Sequence, residues 1–324
     1  MKRLPLFRTF AAALLTAALA QPALATATSR LAQPLARPLA DNPAAHPSFT
    51  VRVVGKGRPV LLIPGLTCPG AVWDETVAHY QSRYQCHVVS LAGFGGVPMP
   101  AGFDAANGLL PAVREQLLAY IKAQKLDHPA IIGHSLGGFM GLWLSVAQPD
   151  AIGPLVILDS LPFLAAVQNP ALTAEAAKPM AAGMRQQMKA GRMPAAQQRQ
   201  MVAGMVTDTA RQSQLAQWGQ ASDPSTVAQA MYELYTTDLR ADLGTIRQPA
   251  LVLGTWAAYQ AYGSTMASVR ATFAQQYAKL PQHRIEMSQA GRHFIMYDDT
   301  NWFFQQADAF LQANYATKKP VAGR

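Results

Sequence analysis

Ile131-Ile132-Gly133-His134-Ser135-Leu136-Gly137-Gly138 is the stretch that decides the fold. An apolar pair leads into a G-x-S-x-G pattern, and the run Phe139 to Gln148 follows with apolar residues at helical spacing. This is a short buried strand, a very tight turn and a helix. A serine on such a corner has its hydroxyl pushed out above the sheet. Small residues two before and two after it are needed, because the backbone doubles back and a Cβ would clash. The helix then aims its first N–H groups at the place where negative charge develops on an attacked carbonyl. The plain alternative is a turn serine without chemistry. The flanking strand and helix favour a nucleophile.

Outward from this motif, strands alternate with helices. Phe49 to Val54 alternates as a strand, and Gly55-Lys56-Gly57 is a turn. Val60–Ile63, Cys86–Leu91, Pro129–Ile132, Pro154–Leu158, Ala250–Leu253 and Arg284–Met287 are further strands. Ala71–Arg83, Leu109–Gln124 and Asp299–Asn314 are helices. Repeated β-α-β order predicts an α/β fold: a mostly parallel central sheet with flanking helices. Residues 160–245 break the rhythm with about four helices and no strand. They carry Met180, Met184, Met188, Met193, Met201, Met205 and Met231. Such an insertion after a strand's C-terminal end lies on the ligand side of an open sheet, which predicts a helical cap with an adaptable apolar wall. The predicted division is a core of 49–159 and 246–316, with the cap at 160–245.

The ends read differently. Lys2, Arg3 and Arg8 precede an apolar stretch from Phe10 to Ala20 that is too short to span a bilayer. Ala18-Leu19-Ala20 and Ala23-Leu24-Ala25 are both cleavage candidates, the second favoured. Residues 1–25 are therefore expected to be a signal peptide, leaving an exported protein, periplasmic or secreted, with no stable membrane anchor. Residues 26–48, with Pro34, Pro38, Pro43 and Pro47, form a flexible linker, and 317–324 a tail. The formal charge is +9, but the leader, linker and tail carry a net seven of it, leaving +2 for the body. That is no nucleic-acid footprint. Cys68 and Cys86 sit at different levels of neighbouring strands, so two separate buried thiols are expected rather than a disulfide. With His79 and His87 they lack zinc-ligand spacing, and no metal or organic cofactor is implied.

The chain resembles the α/β-hydrolase superfamily in its helical-capped, serine esterase-like branch. The resemblance covers about residues 49–315. It rests on Leu61-Leu62-Ile63-Pro64-Gly65-Leu66, Gly133 to Gly138, Pro249 to Gly254, and Gly291-Arg292-His293-Phe294. It implies a nucleophile, an acid and a histidine in that order, with two backbone donors for the oxyanion. Ser135 matches the nucleophile. Of seven histidines, only His293 falls in a loop just after the last strand, where the resemblance places the base. The usual place for the acid reads Gly254-Thr255-Trp256-Ala257, and no Asp or Glu occurs between Asp242 and Glu286. The superfamily's alternative place, after the strand that follows the nucleophile helix, holds Asp159. The competing reading is that Asp159 only ties down the chain there. Asp298 and Asp299 also lie near, as caps of the last helix. The resemblance puts the oxyanion donors on the N–H groups of Leu66 and Leu136. Gly65 and Phe94 are expected at the pocket, and Trp73 and Trp256 are candidates for its wall, with a core role open for each.

Together these features predict a serine hydrolase that cleaves esters of small to medium hydrophobic substrates through an acyl-enzyme. An amidase or aminopeptidase is the alternative within enzymes, weakened because Ala176 to Thr207 contains no acidic residue to hold an amino terminus. A non-catalytic ligand-binding protein on the same fold is the alternative outside them.

Overall fold

The computed structural model describes residues 46–101, 105, 108–167 and 169–315. The expected signal peptide, the linker up to residue 45 and the tail lie outside the described residues. Seven strands, β1 (Phe49–Val54), β2 (Arg58–Ile63), β3 (Tyr84–Leu91), β4 (Ala130–His134), β5 (Leu155–Leu158), β6 (Ala250–Thr255) and β7 (His283–Ser288), form one sheet. Its order is β1-β3-β2-β4-β5-β6-β7. Every neighbouring pair is parallel except β1 with β3. The central strands β4, β5 and β6 are buried along their whole length, as their unbroken apolar runs require in a sheet covered on both faces. The Gly55–Gly57 turn does not make a hairpin. It carries the chain beneath the start of β3, where a Cβ on Gly55 would sit 2.4 Å from the Tyr84 carbonyl oxygen.

Helices α1 (Asp74–Tyr80), α2 (Leu109–Ala123) and α3 (Leu136–Ala147) belong to the first half of the chain. Between β5 and β6 come α4 (Ala174–Lys189), α5 (Ala195–Ala203), α6 (Thr209–Ala221) and α7 (Pro224–Thr236). The chain closes with α8 (Met266–Gln276), the single turn α9 (Ile295–Asp298) and α10 (Thr300–Tyr315). Side chains alternate across each strand and so feed two cores. Leu61, Ile63, Ile131 and Ile157 pack with α2, α3 and α8 on one face. Leu62, Ile132, Leu158 and Leu253 pack with α1 and α10 on the other. Among the described residues no helix is long and apolar enough to cross a membrane.

Three of the four inserted helices have capped starts. Thr173, Asp208 and Asp223 cap α4, α6 and α7 by accepting N–H bonds. Helix α7 is tied to the core by Glu233. Its buried carboxylate accepts the N–H groups of Leu109 and Leu110 at 2.9 and 2.6 Å, at the positive end of α2. The end of the expected linker belongs to the core instead. His46 is buried and stacks on Phe49, and Ser48 donates to Gln116. Proline-rich composition marked this stretch as flexible, but its last residues close the sheet edge through the Ala92 N–H bond to the Ser48 carbonyl. Cys68 and Cys86 are both buried and unpaired with each other, and burial pushes each thiol up to about 12.

His87 lies buried inside β3 between Tyr120 and Gln85. The Gln85 oxygen only accepts, so His87 Nε2 carries the proton and Nδ1 takes the Tyr120 hydroxyl hydrogen. Burial lowers its pKa to about 4. The unfolded ring, near the ordinary 6.5, holds more protons between these values, so acid favours unfolding there. Stability should be complete above about pH 6.5 and should lose about 3 kcal/mol from His87 alone as pH falls toward 4. Urea midpoints measured across this range should show the loss, and His87→Gln should flatten it.

Candidate active site

Ser135 joins β4 to α3 with φ 52° and ψ −117°, a conformation that costs an L-residue about 1–3 kcal/mol. Its N–H donates to the Leu158 carbonyl at 2.9 Å, and its own carbonyl accepts from Phe139 at 3.0 Å. The glycines around it are obligatory. A Cβ on Gly133 would lie 2.3 Å from the Gly137 oxygen, and one on Gly137 2.0 Å from the Ile63 oxygen. The turn is thus wedged against β2 with no room for a side chain, while Ser135 itself remains part-exposed.

Asp159 follows β5 with φ 42°. Its N–H donates to the Leu253 carbonyl at 2.7 Å, which fixes its height above the sheet. Its side chain is only 3% exposed. Oδ2 accepts the Nδ1 proton of His293 at 2.6 Å, and Oδ1 accepts the Thr255 N–H at 3.2 Å. Thr255 ends β6 and also donates its hydroxyl to the Gly291 carbonyl. The end of β6 therefore supplies donors to the carboxylate and to the histidine loop instead of supplying an acid. With Nδ1–H given to Asp159, the ring presents Nε2 as its basic atom. The phenols of Tyr259 and Tyr277 are pushed well up by burial and by the Asp159 charge, so they stay neutral beside it.

The loop carrying His293 is held from several sides. The His293 carbonyl accepts from His134 Nε2 at 2.9 Å, and the Phe294 N–H donates to Met205 at 3.1 Å. Asp298 accepts the Arg292 N–H through one oxygen and the Thr207 N–H and hydroxyl through the other. Asp299 accepts from the Ser288 hydroxyl. Neither of these two aspartates bonds the His293 ring.

Gly65 lies against the serine: a Cβ there would be 3.3 Å from the Ser135 Cβ. The N–H groups of Leu66, next in the chain, and of Leu136 donate to nothing among the described residues. Unspent backbone donors beside a part-exposed serine are what an oxyanion site needs. The pocket residues divide. Trp73 and Phe94 are both 0% exposed and pack in the two cores, which for Trp73 is the core role left open above. Phe94 lies in a turn, and an aromatic residue there looks alike in sequence whether it turns in or out. Trp256 is part-buried against the core beneath α8, with its indole N–H buried and unpaired among the described residues. Gly93 and Gly96 rim a cleft of about 290 Å³ with Arg192 and Asp223, and Ser135 is not part of its lining. Met231 and Met205 pack on the two cores, and Met180 faces solvent. Among the described residues no group of three His, Cys, Asp or Glu side chains could hold a metal ion.

Sequence reasoning missed His134 and Thr255. His134 is only the variable position of the G-x-S-x-G motif, which by itself assigns it no role. The second carried no signal beyond standing where an acid was absent.

A family model described as the alpha/beta hydrolase family matches residues 60–313. A pimeloyl-[acyl-carrier protein] methyl ester esterase of Aeromonas salmonicida is 33% identical over 115 residues, 36% of this chain and 42% of that protein. The same-named esterase of Nitrosomonas europaea is 24% identical over 220 residues, 64% of this chain and 79% of that protein. The match thus spans less than half the length of the first relative. A hydrolase structure from Oleispira antarctica superposes with a TM-score of 0.66 at 16% identity, covering 83% of this chain and 97% of that one.

Gly137→Ala should destabilise the protein by about 3 kcal/mol or prevent folding, since the clash is with backbone. Denaturant midpoints against the wild type check this. A Gly183→Ala control has nothing within 4 Å of the new methyl and should fold normally.

Proposed function

The chain belongs to the α/β-hydrolase family, and we propose that within it the protein is an exported serine hydrolase that cleaves carboxylic esters. The hydrogen bond from His293 Nδ1 to Asp159 Oδ2 carries this reading, because it orients a base in the loop bonded to the residue beside Ser135. The esterase relatives support ester hydrolysis as the reaction class.

In the proposed reaction Ser135 Oγ attacks the ester carbonyl and gives its proton to His293 Nε2. The carbonyl oxygen takes the negative charge, facing the N–H groups of Leu66 and Leu136. Asp159 stabilises the imidazolium and keeps its tautomer. Collapse expels the alcohol, which takes the proton from His293. Water then gives His293 a proton as it attacks the acyl-enzyme, and collapse releases the acid and restores the serine hydroxyl. The part-buried Leu161, Leu164 and Met231 of the insertion, and Trp256 after β6, pack against the core, and an apolar set of this kind suits small to medium apolar acyl groups. Export removes residues 1–25 in this account, so the mature chain begins at Thr26.

A fluorophosphonate should label wild-type protein at Ser135, and p-nitrophenyl esters of short and medium chains should be cleaved. Ser135→Ala should abolish both. Asp159→Asn should lower kcat by about 10³–10⁴-fold with the fold intact. Near-normal turnover in that variant would remove Asp159 from the mechanism. Absence of label on folded wild-type protein would remove the hydrolase reading.

A further inference from the structure

On that reading of the site, we propose that His134 is a positioning residue whose single buried ring sets both His293 and the oxyanion loop against Ser135. His134 ends β4, adjoins the serine and is 1% exposed. Its Nε2 lies 2.9 Å from the His293 carbonyl oxygen. A carbonyl only accepts, so Nε2 carries the proton. The ring then packs on the base loop, with centroids 4.6 Å from His293 and 4.7 Å from Phe294.

The other edge of the ring faces the loop after β2. A Cβ on Gly65 would stand 2.8 Å from His134 Nδ1. That nitrogen is buried with no partner among the described residues. The ring therefore fills the space between the histidine loop and the loop that carries the Leu66 N–H. The ring also makes Gly65 necessary: any larger residue would push that loop off the serine.

Burial, and next the neighbouring His293, hold the His134 pKa well below the ordinary imidazole value, against a smaller opposing effect of its bond to the His293 carbonyl. A neutral ring matters here. When His293 takes the serine proton, a second positive charge at 4.6 Å would oppose that transfer. His134 is not itself the base, because Nε2 is committed to a carbonyl and Nδ1 is buried.

The test uses His134→Phe, which keeps a ring and removes the donor, and His134→Gln, which keeps an N–H donor. Four quantities are read on the full-length mature protein: kcat and KM for p-nitrophenyl butyrate, fluorophosphonate labelling rate, thermal midpoint, and the low-field proton resonance of His293 Nδ1–H. The resonance is assigned by its loss in His293→Ala. In His134→Phe, kcat and labelling rate should fall together by about tenfold or more, with KM little changed. The resonance should shift or broaden. His134→Gln should recover most of both. A folded His134→Phe with unchanged kcat, labelling and resonance overturns the proposal. Should that variant not fold, a folded His134→Gln that lacks the resonance overturns it, and one that retains the resonance supports it. Wild-type protein that neither labels nor cleaves esters overturns the hydrolase reading instead. The resonance, which needs no substrate, still judges whether His134 sets His293.

Discussion

The strained backbone at Ser135 is the constraint on which the rest of the site depends. With φ at 52° the chain leaves β4 and enters α3 without an intervening loop, so the serine stands at the helix N-terminus and beside the Leu136 N–H. That geometry exists only because glycines leave the room: Gly137 against the backbone of β2, Gly133 against the backbone of Gly137, and Gly138 against the side chains of Ser160 and Ile157. The strain of about 1–3 kcal/mol is offset by a strand and a helix that are buried along nearly their whole length. A less buried β4 or α3 would relax the corner and lose the exposed hydroxyl.

The second organising choice is the place of the carboxylate. In this chain Asp159 follows β5 and β6 ends in Thr255, whose N–H and hydroxyl serve the carboxylate and the histidine loop. The carboxylate thus reaches His293 from β5, with β6 supplying supports. The inserted helices also take part: on the turn between α5 and α6, Met205 accepts the Phe294 N–H, and Thr207 donates to Asp298, which in turn accepts the Arg292 N–H. The insertion is therefore coupled to the His293 loop by main-chain bonds as well as by apolar packing.

Much of this was legible in sequence. The strands were visible because a sheet covered on both faces needs unbroken apolar runs, and the elbow because only glycines fit it. Their ends moved by one or two residues, since polar residues such as His134, Thr255 and Ser288 continue strands that hydrophobicity alone would stop. Asp159 and His293 were found through order along the chain. What brings them to 2.6 Å is the parallel register of β5, β6 and β7, which no local pattern encodes. Phe94 packs in the core although nothing in its loop sequence fixes its direction, because loop aromatics carry no periodicity. His134 was overlooked because its role depends on a carbonyl 159 positions away.

The central claim is that Ser135 becomes a covalent acyl carrier with its oxyanion held by two backbone donors. A crystal structure of the protein reacted with a phosphonate ester tests it most directly. The account predicts continuous density from Ser135 Oγ to phosphorus, with a phosphoryl oxygen about 2.7–3.1 Å from the N–H nitrogens of both Leu66 and Leu136. Adduct on another residue, or that oxygen turned to solvent away from both nitrogens, would contradict it.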